Sequence, residues 1–264
     1  MATESTTMVR LEQVSKFYSG SGISAVQGVT VEIVAGEFLV LVGESGCGKT
    51  TTLKMINRLV EPSSGCIIVD GKDVMTTNPI DLRRAIGYVF QGIGLFPHMT
   101  VAENVGIVPK LLGWESAAIA ERVNELMGMM GLAPEEYRRR MPAELSGGQQ
   151  QRIGVARALA GRPKILLMDE PFGALDPVTR NALQGEFKSL QKSFALTVVM
   201  VTHDMTEALM LADRIAVMQQ GRLLQVGTPQ ELLAHPSDAH ITTLLDTPRR
   251  QAASLERVLK AGQP

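Results

Sequence analysis

The stretch Gly43–Thr50 reads GESGCGKT, three glycines with a lysine and a threonine at fixed spacing. That combination suits one task, holding phosphate. Gly43, Gly46 and Gly48 let the backbone turn tightly, so that successive N–H groups point inward at an anion. Glu44, Ser45 and Cys47 fill the positions between and offer their amides to the same anion. A helix starting here adds the positive end of its dipole. Lys49 can then reach β- and γ-phosphates, the Thr50 hydroxyl can ligate Mg²⁺, and Thr51 falls at the α-phosphate. A chance glycine-rich turn is the alternative. The order apolar strand, loop, helix weighs against it.

Two acids, Asp169 and Glu170, close the apolar run KILLMDE. Strand ends of this kind face the ligand crevice in a parallel sheet. Asp169 suits a water-mediated hold on Mg²⁺, and Glu170 suits a general base acting on an attacking water. Acids also end strands as turn or cap residues, but two together, downstream of a phosphate loop, point to chemistry. His203 follows the apolar run LTVVMVT, and Gln91 follows IGYVF. A histidine there suits a γ-phosphate contact as well as a structural hydrogen bond, and Gln91 suits Mg²⁺ and the attacking water. Lys49, Gln91, Glu170 and His203 are thus the candidate catalytic groups, with Thr50, Gln91 and Asp169 as candidate metal ligands.

A second glycine-rich helix start, LSGGQ at Leu145–Gln149, carries no lysine. Ser146 reads as an N-cap, and QQQRIGVARALA as its helix, stopped by Gly161 and Pro163. Its bare N–H groups suit an anion, yet the chain's own triphosphate is already cradled by Gly43–Thr50. The economical arrangement has Ser146, Gly148 and Gln149 cover the γ-phosphate held by a second copy. Two chains packed head to tail would bury two ATP molecules between them. An ordinary helix cap is the alternative.

The elements that must position these residues can be read from hydrophobic period. Alternating or continuous apolar runs predict strands at Met8–Val14, Val29–Ile33, Phe38–Val42, CIIVDG, IGYVF, KILLMDE and LTVVMVT, and a hairpin around Gly221. Helices are expected through TTLKMINRL, Val178–Gln191 and Met205–Leu211, with a short turn at Asp81–Ala85. Between Thr100 and Gly161 every run is helical in period. The fold class is therefore α/β, a P-loop (RecA-like) core with a mainly parallel sheet, an added antiparallel β part and an all-helical insertion. The boundaries read as 1–91 and 160–240 for the nucleotide-binding core, 92–159 for the helical subdomain, and 241–264 for a C-terminal tail. From Pro248 onward the tail fits either a solvated end or an amphipathic helix, with Leu255, Val258 and Leu259 on one side.

Of the 264 residues, 45% are hydrophobic and 20% charged, with a net charge of −1. This balance provides no general pull toward nucleic acid or anionic lipid. The opening MATESTTM has no apolar run of secretory length, and no stretch approaches the roughly 20 apolar residues of a membrane span. The two cysteines, Cys47 and Cys66, are too few for a disulfide framework and fit a reducing cytosol.

Taken in order, these motifs resemble the nucleotide-binding subunit of ABC transporters over roughly residues 8–245. GESGCGKT resembles its Walker A, Gln91 its Q-loop, LSGGQ its signature, ILLMDE its Walker B, ALDP (Ala174–Pro177) its D-loop and His203 its switch histidine. The resemblance implies that Tyr18 stacks on adenine and that Asp176 helps hold the dimer. KMINRL and IGLFPHMT further resemble the osmoprotectant importers of glycine betaine, carnitine or choline. The resemblance implies an ATPase with ATP and Mg²⁺. It would work as an ATP-bridged homodimer on transmembrane permease subunits, and indirectly with a solute-binding protein, at the cytoplasmic face of the inner membrane. Phe96, Pro97 and Met99 would line a groove for a coupling helix, with ordinary core residues beneath a loop as the alternative. Some relatives carry a tandem CBS module after the core; the chain ends before one, so that module is not expected to regulate it. No nucleic-acid partner is expected, because the long coiled-coil arms of DNA-repair relatives find no room here. A P-loop kinase or GTPase is disfavoured by LSGGQ and by the lack of an N-K-x-D motif. Another solute, or an exporter, is the remaining alternative.

Overall fold

The computed structural model describes residues 6–18, 24–92 and 94–261. It is α/β, with one six-stranded and one four-stranded sheet. The larger sheet has the order β10-β9-β3-β8-β7-β6, built from β3 (Phe38–Val42), β6 (Ile86–Val89), β7 (Ile165–Asp169), β8 (Thr197–Thr202), β9 (Arg214–Gln219) and β10 (Arg222–Gly227). All neighbours in it are parallel except the β9–β10 hairpin. The smaller sheet is antiparallel, ordered β2-β1-β4-β5, with β1 (Thr7–Phe17), β2 (Ser24–Val34), β4 (Ser64–Val69) and β5 (Lys72–Asp73).

Continuous apolar runs in β3, β7 and β8 are explained by burial on both faces. Alternate residues serve different cores. Phe38, Val40, Val42, Leu166, Met168, Val198 and Met200 join one cluster. Leu39, Leu41, Ile165, Leu167, Val199 and Val201 join the other. The first cluster is covered by helices, the second by α1 (Lys49–Ile56) and the antiparallel sheet. A sheet clamped in this way fixes its strand ends, which is what a multi-residue site requires.

Between β6 and β7 the chain is helical, with α3 (Val101–Leu111), α4 (Ser116–Met129), α5 (Pro134–Tyr137), a single 3₁₀ turn at Pro142–Glu144 and α6 (Gly147–Leu159). α2 (Pro79–Ala85) precedes β6; α7 (Pro177–Ser193) and α8 (Met205–Leu211) flank β8. Each of three helix starts is chemically marked: Thr100 and Glu103 form a capping box on α3, and Asp176 and Asp204 cap α7 and α8.

Four differences from the sequence reading have local causes. β1 and β2 run to Phe17 and from Ser24, well beyond Met8–Val14 and Val29–Ile33, because Gln13 and Gly28 have positive φ and the pairing shifts register there. Such bulges break the alternation on which a strand is read. α1 stops at Ile56, short of Leu59, where Arg58 turns left-handed. The short elements β5 and α9 (Pro229–Ala234) are too brief to register as a period. The expected tail is helical from Ala239 as α10 (Ala239–Ala261), and Ile241 and Leu245 are buried in the helix-covered core. The side chains of Leu255, Val258 and Leu259 lie outside the described residues.

Candidate active site

The strand order puts β3, β8, β7 and β6 side by side, so the loop after β3, His203 after β8, Asp169 and Glu170 at β7 and Gln91 after β6 emerge along one edge of the sheet. The spatial order differs from chain order, which is why residues 119 and 79 positions apart can meet, as the Thr50–Asp169 and Gln91–Glu170 pairs do.

The Gly43–Thr50 loop wraps its own lysine. Lys49 is 5% exposed, and its Nζ donates to the carbonyls of Gly43 (2.7 Å) and Glu44 (2.8 Å). Gly48, the N-cap of α1, has φ 106°, and a Cβ there would run into the Ala25 carbonyl. Only glycine satisfies both demands. No side chain caps the first amides of α1, which leaves them to an anion. Phe17 pairs with Ser24, and Ala25 lies against Gly48, which puts Tyr18 at the end of β1 near this loop; the residue is 43% exposed, with Lys16 Nζ 5.2 Å from its ring centre.

Cys47 is buried beneath the loop, its Sγ 3.7 Å from Lys49 Nζ. A maleimide on that sulfur has to displace the ammonium. Alkylation is therefore expected to abolish nucleotide binding, bound nucleotide to slow the reaction, and Cys47→Ser to be resistant. Cys66, the other thiol, has its pKa pushed up by burial and by the Asp73 carboxylate, so less of it is thiolate near neutral pH. Equal inhibition of Cys47→Ser by maleimide would move the target elsewhere.

At the end of β7, Asp169 is 2% exposed and its Oδ1 accepts from Thr50 Oγ1 at 2.8 Å. This joins the loop to the acid pair. Behind Asp169 stands Tyr88, whose phenol is pushed above its ordinary pKa by burial and by the Asp169 charge. Sequence reasoning passed over Tyr88, since one tyrosine in an apolar strand carries no signal of what lies behind it. Glu170 is in the left-handed region at φ 45°. A non-glycine residue there stores strain of order 1–3 kcal/mol, a common feature of functional sites. Its Oε2 lies 3.4 Å from Gln91 Nε2 and 3.3 Å from His203 Nδ1. One carboxylate thus gathers the ends of β6, β7 and β8.

The second group of expected site residues stands separately. Ser146 Oγ accepts from the Gln149 amide, and Gln149 Oε1 accepts from the Ser146 amide at 2.9 Å, a capping box on α6. Gly148 faces Thr179 in the first turn of α7, where a Cβ would stand only 2.7 Å from the threonine methyl. Asp176 accepts from the amides of Val178 and Thr179 at 3.1 Å, and hydrogen bonds from Thr179 and then Val178 hold its carboxyl below the usual range. Among the described residues no hydrogen bond or ion pair joins Ser146, Gly148, Gln149 or Asp176 to the Gly43–Thr51 loop.

The profile described as "ABC transporter" matches residues 26–173. A glycine betaine/carnitine/choline transport ATP-binding protein of Bacillus subtilis is 54% identical over 253 residues. The chain belongs to the ABC transporter family. That alignment covers 95% of this chain and 66% of the relative, so the chain spans just under two thirds of the relative's length. An osmoprotectant import ATP-binding protein of Salmonella typhimurium is 49% identical, over 96% of this chain and 66% of that one. Among solved structures, a dimeric ATP-binding cassette in a post-hydrolysis state bound to ADP and Pi has a TM-score of 0.75 and 35% identity, covering 84% of this chain and 99% of that one.

In this ABC cassette a groove of about 730 Å³ opens beside the site, lined by Gln91, Phe90, Phe96 and Leu111 among others. Of Phe96, Pro97 and Met99, only Phe96 lines this groove; Met99 lines a separate hollow of about 270 Å³ against α4. No described helix is long and apolar enough to cross a membrane.

Proposed function

We propose that this chain is the ATP-hydrolysing subunit of an importer for quaternary-amine osmoprotectants such as glycine betaine, carnitine or choline. The observation that carries the reading is the gathering of Lys49, the Thr50–Asp169 pair and the Gln91–Glu170–His203 cluster along one sheet edge. The loop amides and Lys49 bind the triphosphate, with Tyr18 beside the base. Glu170 takes a proton from the attacking water, and His203 and Gln91 hold its carboxylate toward that water. Hydrolysis here is positioning plus charge stabilisation.

The Thr50 hydroxyl and the buried Asp169 carboxylate offer hard oxygen donors side by side, with Gln91 beside the next acid, Glu170, a set that fits Mg²⁺. Among the described residues no cluster of three His, Cys, Asp or Glu side chains stands ready to hold a metal ion alone, in keeping with an ion whose other ligands are phosphate and water. Bound there, Mg²⁺ would neutralise charge on the phosphates.

The separate, exposed N-terminus of α6 supports the paired arrangement, in which Ser146, Gly148 and Gln149 cover the nucleotide of a second copy and Asp176 lies between the copies. Permease subunits would occupy the groove at Phe90 and Phe96, placing the dimer at the cytoplasmic face of the inner membrane, with a solute-binding protein engaged only through the permease. The sequence identities to importer subunits for these solutes support the substrate class. The test is uptake of radiolabelled glycine betaine at high osmolarity in cells lacking this chain. Uptake should return with the wild type, fail to return with Glu170→Gln, and be competed by unlabelled carnitine or choline. Unchanged uptake in the deletion strain overturns the solute class.

A further inference from the structure

Arg180 touches none of the expected ligand contacts, yet it bridges two segments that carry them. It lies in the first turn of α7, behind the cap Asp176. Its Nη2 donates to the carbonyl of Leu175, the residue before Asp176, at 3.0 Å. Its other face turns toward α8: Nη1 lies 3.8 Å from Asp204 Oδ2, and Nε lies 4.0 Å from Glu207 Oε1. Both distances stop short of a hydrogen bond. Nε is buried and has no hydrogen-bond partner among the described residues.

Glu207 is buried, 6% exposed, and held by Thr202 Oγ1 at 2.7 Å and Gln184 Nε2 at 3.1 Å. The Asp204 amide donates to the same Thr202 hydroxyl at 3.0 Å. Thr202 and Asp204 are the two neighbours of His203, so the histidine's backbone is set by a network whose outer member is Arg180. The guanidinium is thus fastened at one end to the Leu175–Asp176 segment and left slack at the other, against two carboxylates. A buried donor about 1 Å short of a buried acid is a contact that a small shift can close.

We propose that Arg180 and Glu207 are positioning residues that link docking of a second copy at Asp176 to the orientation of His203. Movement of the Leu175–Asp176 segment by less than about 1 Å carries the guanidinium into hydrogen-bonding contact with Glu207 and Asp204. Thr202 and Asp204 are then fixed, and the imidazole with them, against Glu170. The inference rests on the proposed paired active site. It deepens that proposal by naming the groups within one copy that register the other.

The experiment compares wild type, Arg180→Ala, Arg180→Lys and Glu207→Gln. Three quantities are read: affinity of dilute protein for a fluorescent ATP analogue, kcat, and the Hill coefficient for ATP. The wild type should hydrolyse ATP with a Hill coefficient above one. Arg180→Ala should keep affinity within about twofold, lower kcat about tenfold or more, and bring the Hill coefficient to one. Arg180→Lys should recover part of kcat by returning the charge. Glu207→Gln, which keeps the side-chain shape, should reproduce the loss of cooperativity even where Arg180→Ala folds poorly. Adding Arg180→Ala to His203→Ala should cost nothing further, because no imidazole is left for Arg180 to position. Arg180→Ala and Glu207→Gln with wild-type kcat and Hill coefficient overturn this inference alone, as do losses that multiply in the double variant. A wild type with no hydrolysis overturns the proposed ATPase and this inference with it.

Discussion

Glu170→Gln is expected to leave ATP affinity close to that of the wild type, slow hydrolysis by about 10²–10⁴-fold, and accumulate as an ATP-bound dimer. Glutamine matches glutamate in shape and in hydrogen-bonding reach, so the neighbours Gln91 and His203, at 3.4 and 3.3 Å from the carboxylate, can stay where they are. What is lost is the ability to accept a proton from water. The proposed phosphate contacts, on the loop and Lys49, are untouched. If each copy completes the other's site, blocked hydrolysis also blocks separation, because the γ-phosphate that bridges the copies is never removed. Size-exclusion chromatography with ATP reads the dimer directly, and phosphate release reads the rate. A variant that elutes as a monomer and turns over at the wild-type rate overturns both the base and the shared site.

Much of this site was legible in the sequence because its members mark strand ends. A run such as FLVLV or ILLMD, buried on both faces, reads as a parallel strand, and the residues after it must emerge at one edge. Lys49, Asp169, Glu170 and His203 could therefore be grouped before any coordinate was known. Two kinds of feature were not legible. The first is local irregularity: positive φ at Gln13 and Gly28 interrupts β1 and β2, and the same backbone state at Glu170 leaves no trace in residue type. The second is side-chain company across the fold. Tyr88 behind Asp169, and Gln184 and Arg180 around Glu207, lie far apart in sequence and belong to unremarkable residue types. Burial pushes the Glu207 carboxyl above the ordinary range, but an acid in the first turn of a helix reads from sequence only as a dipole partner.

Lys49→Ala is expected to abolish nucleotide binding at micromolar concentrations. The ammonium is nearly enclosed, and its two hydrogen bonds, at 2.7 and 2.8 Å, go to the loop's own carbonyls. Those carbonyls shape the cradle from within, while the charge is presented to whatever enters it. Truncation removes both effects. A hydrogen bond to a charged group contributes about 1.5–3 kcal/mol, so two lost phosphate contacts would weaken ATP binding by a factor of about 10²–10⁴. The two orphaned carbonyls, now facing the anion without a cation between them, add repulsion. Lys49→Arg should not rescue binding, because a wide, planar guanidinium cannot take the place of a compact ammonium enclosed between the Gly43 and Glu44 carbonyls. Titration with a fluorescent ATP analogue measures both variants, and circular dichroism melting separates a lost ligand from a lost fold. A folded Lys49→Ala protein that binds the analogue as the wild type does would place the phosphates outside the Gly43–Thr51 loop and dissolve the site as drawn.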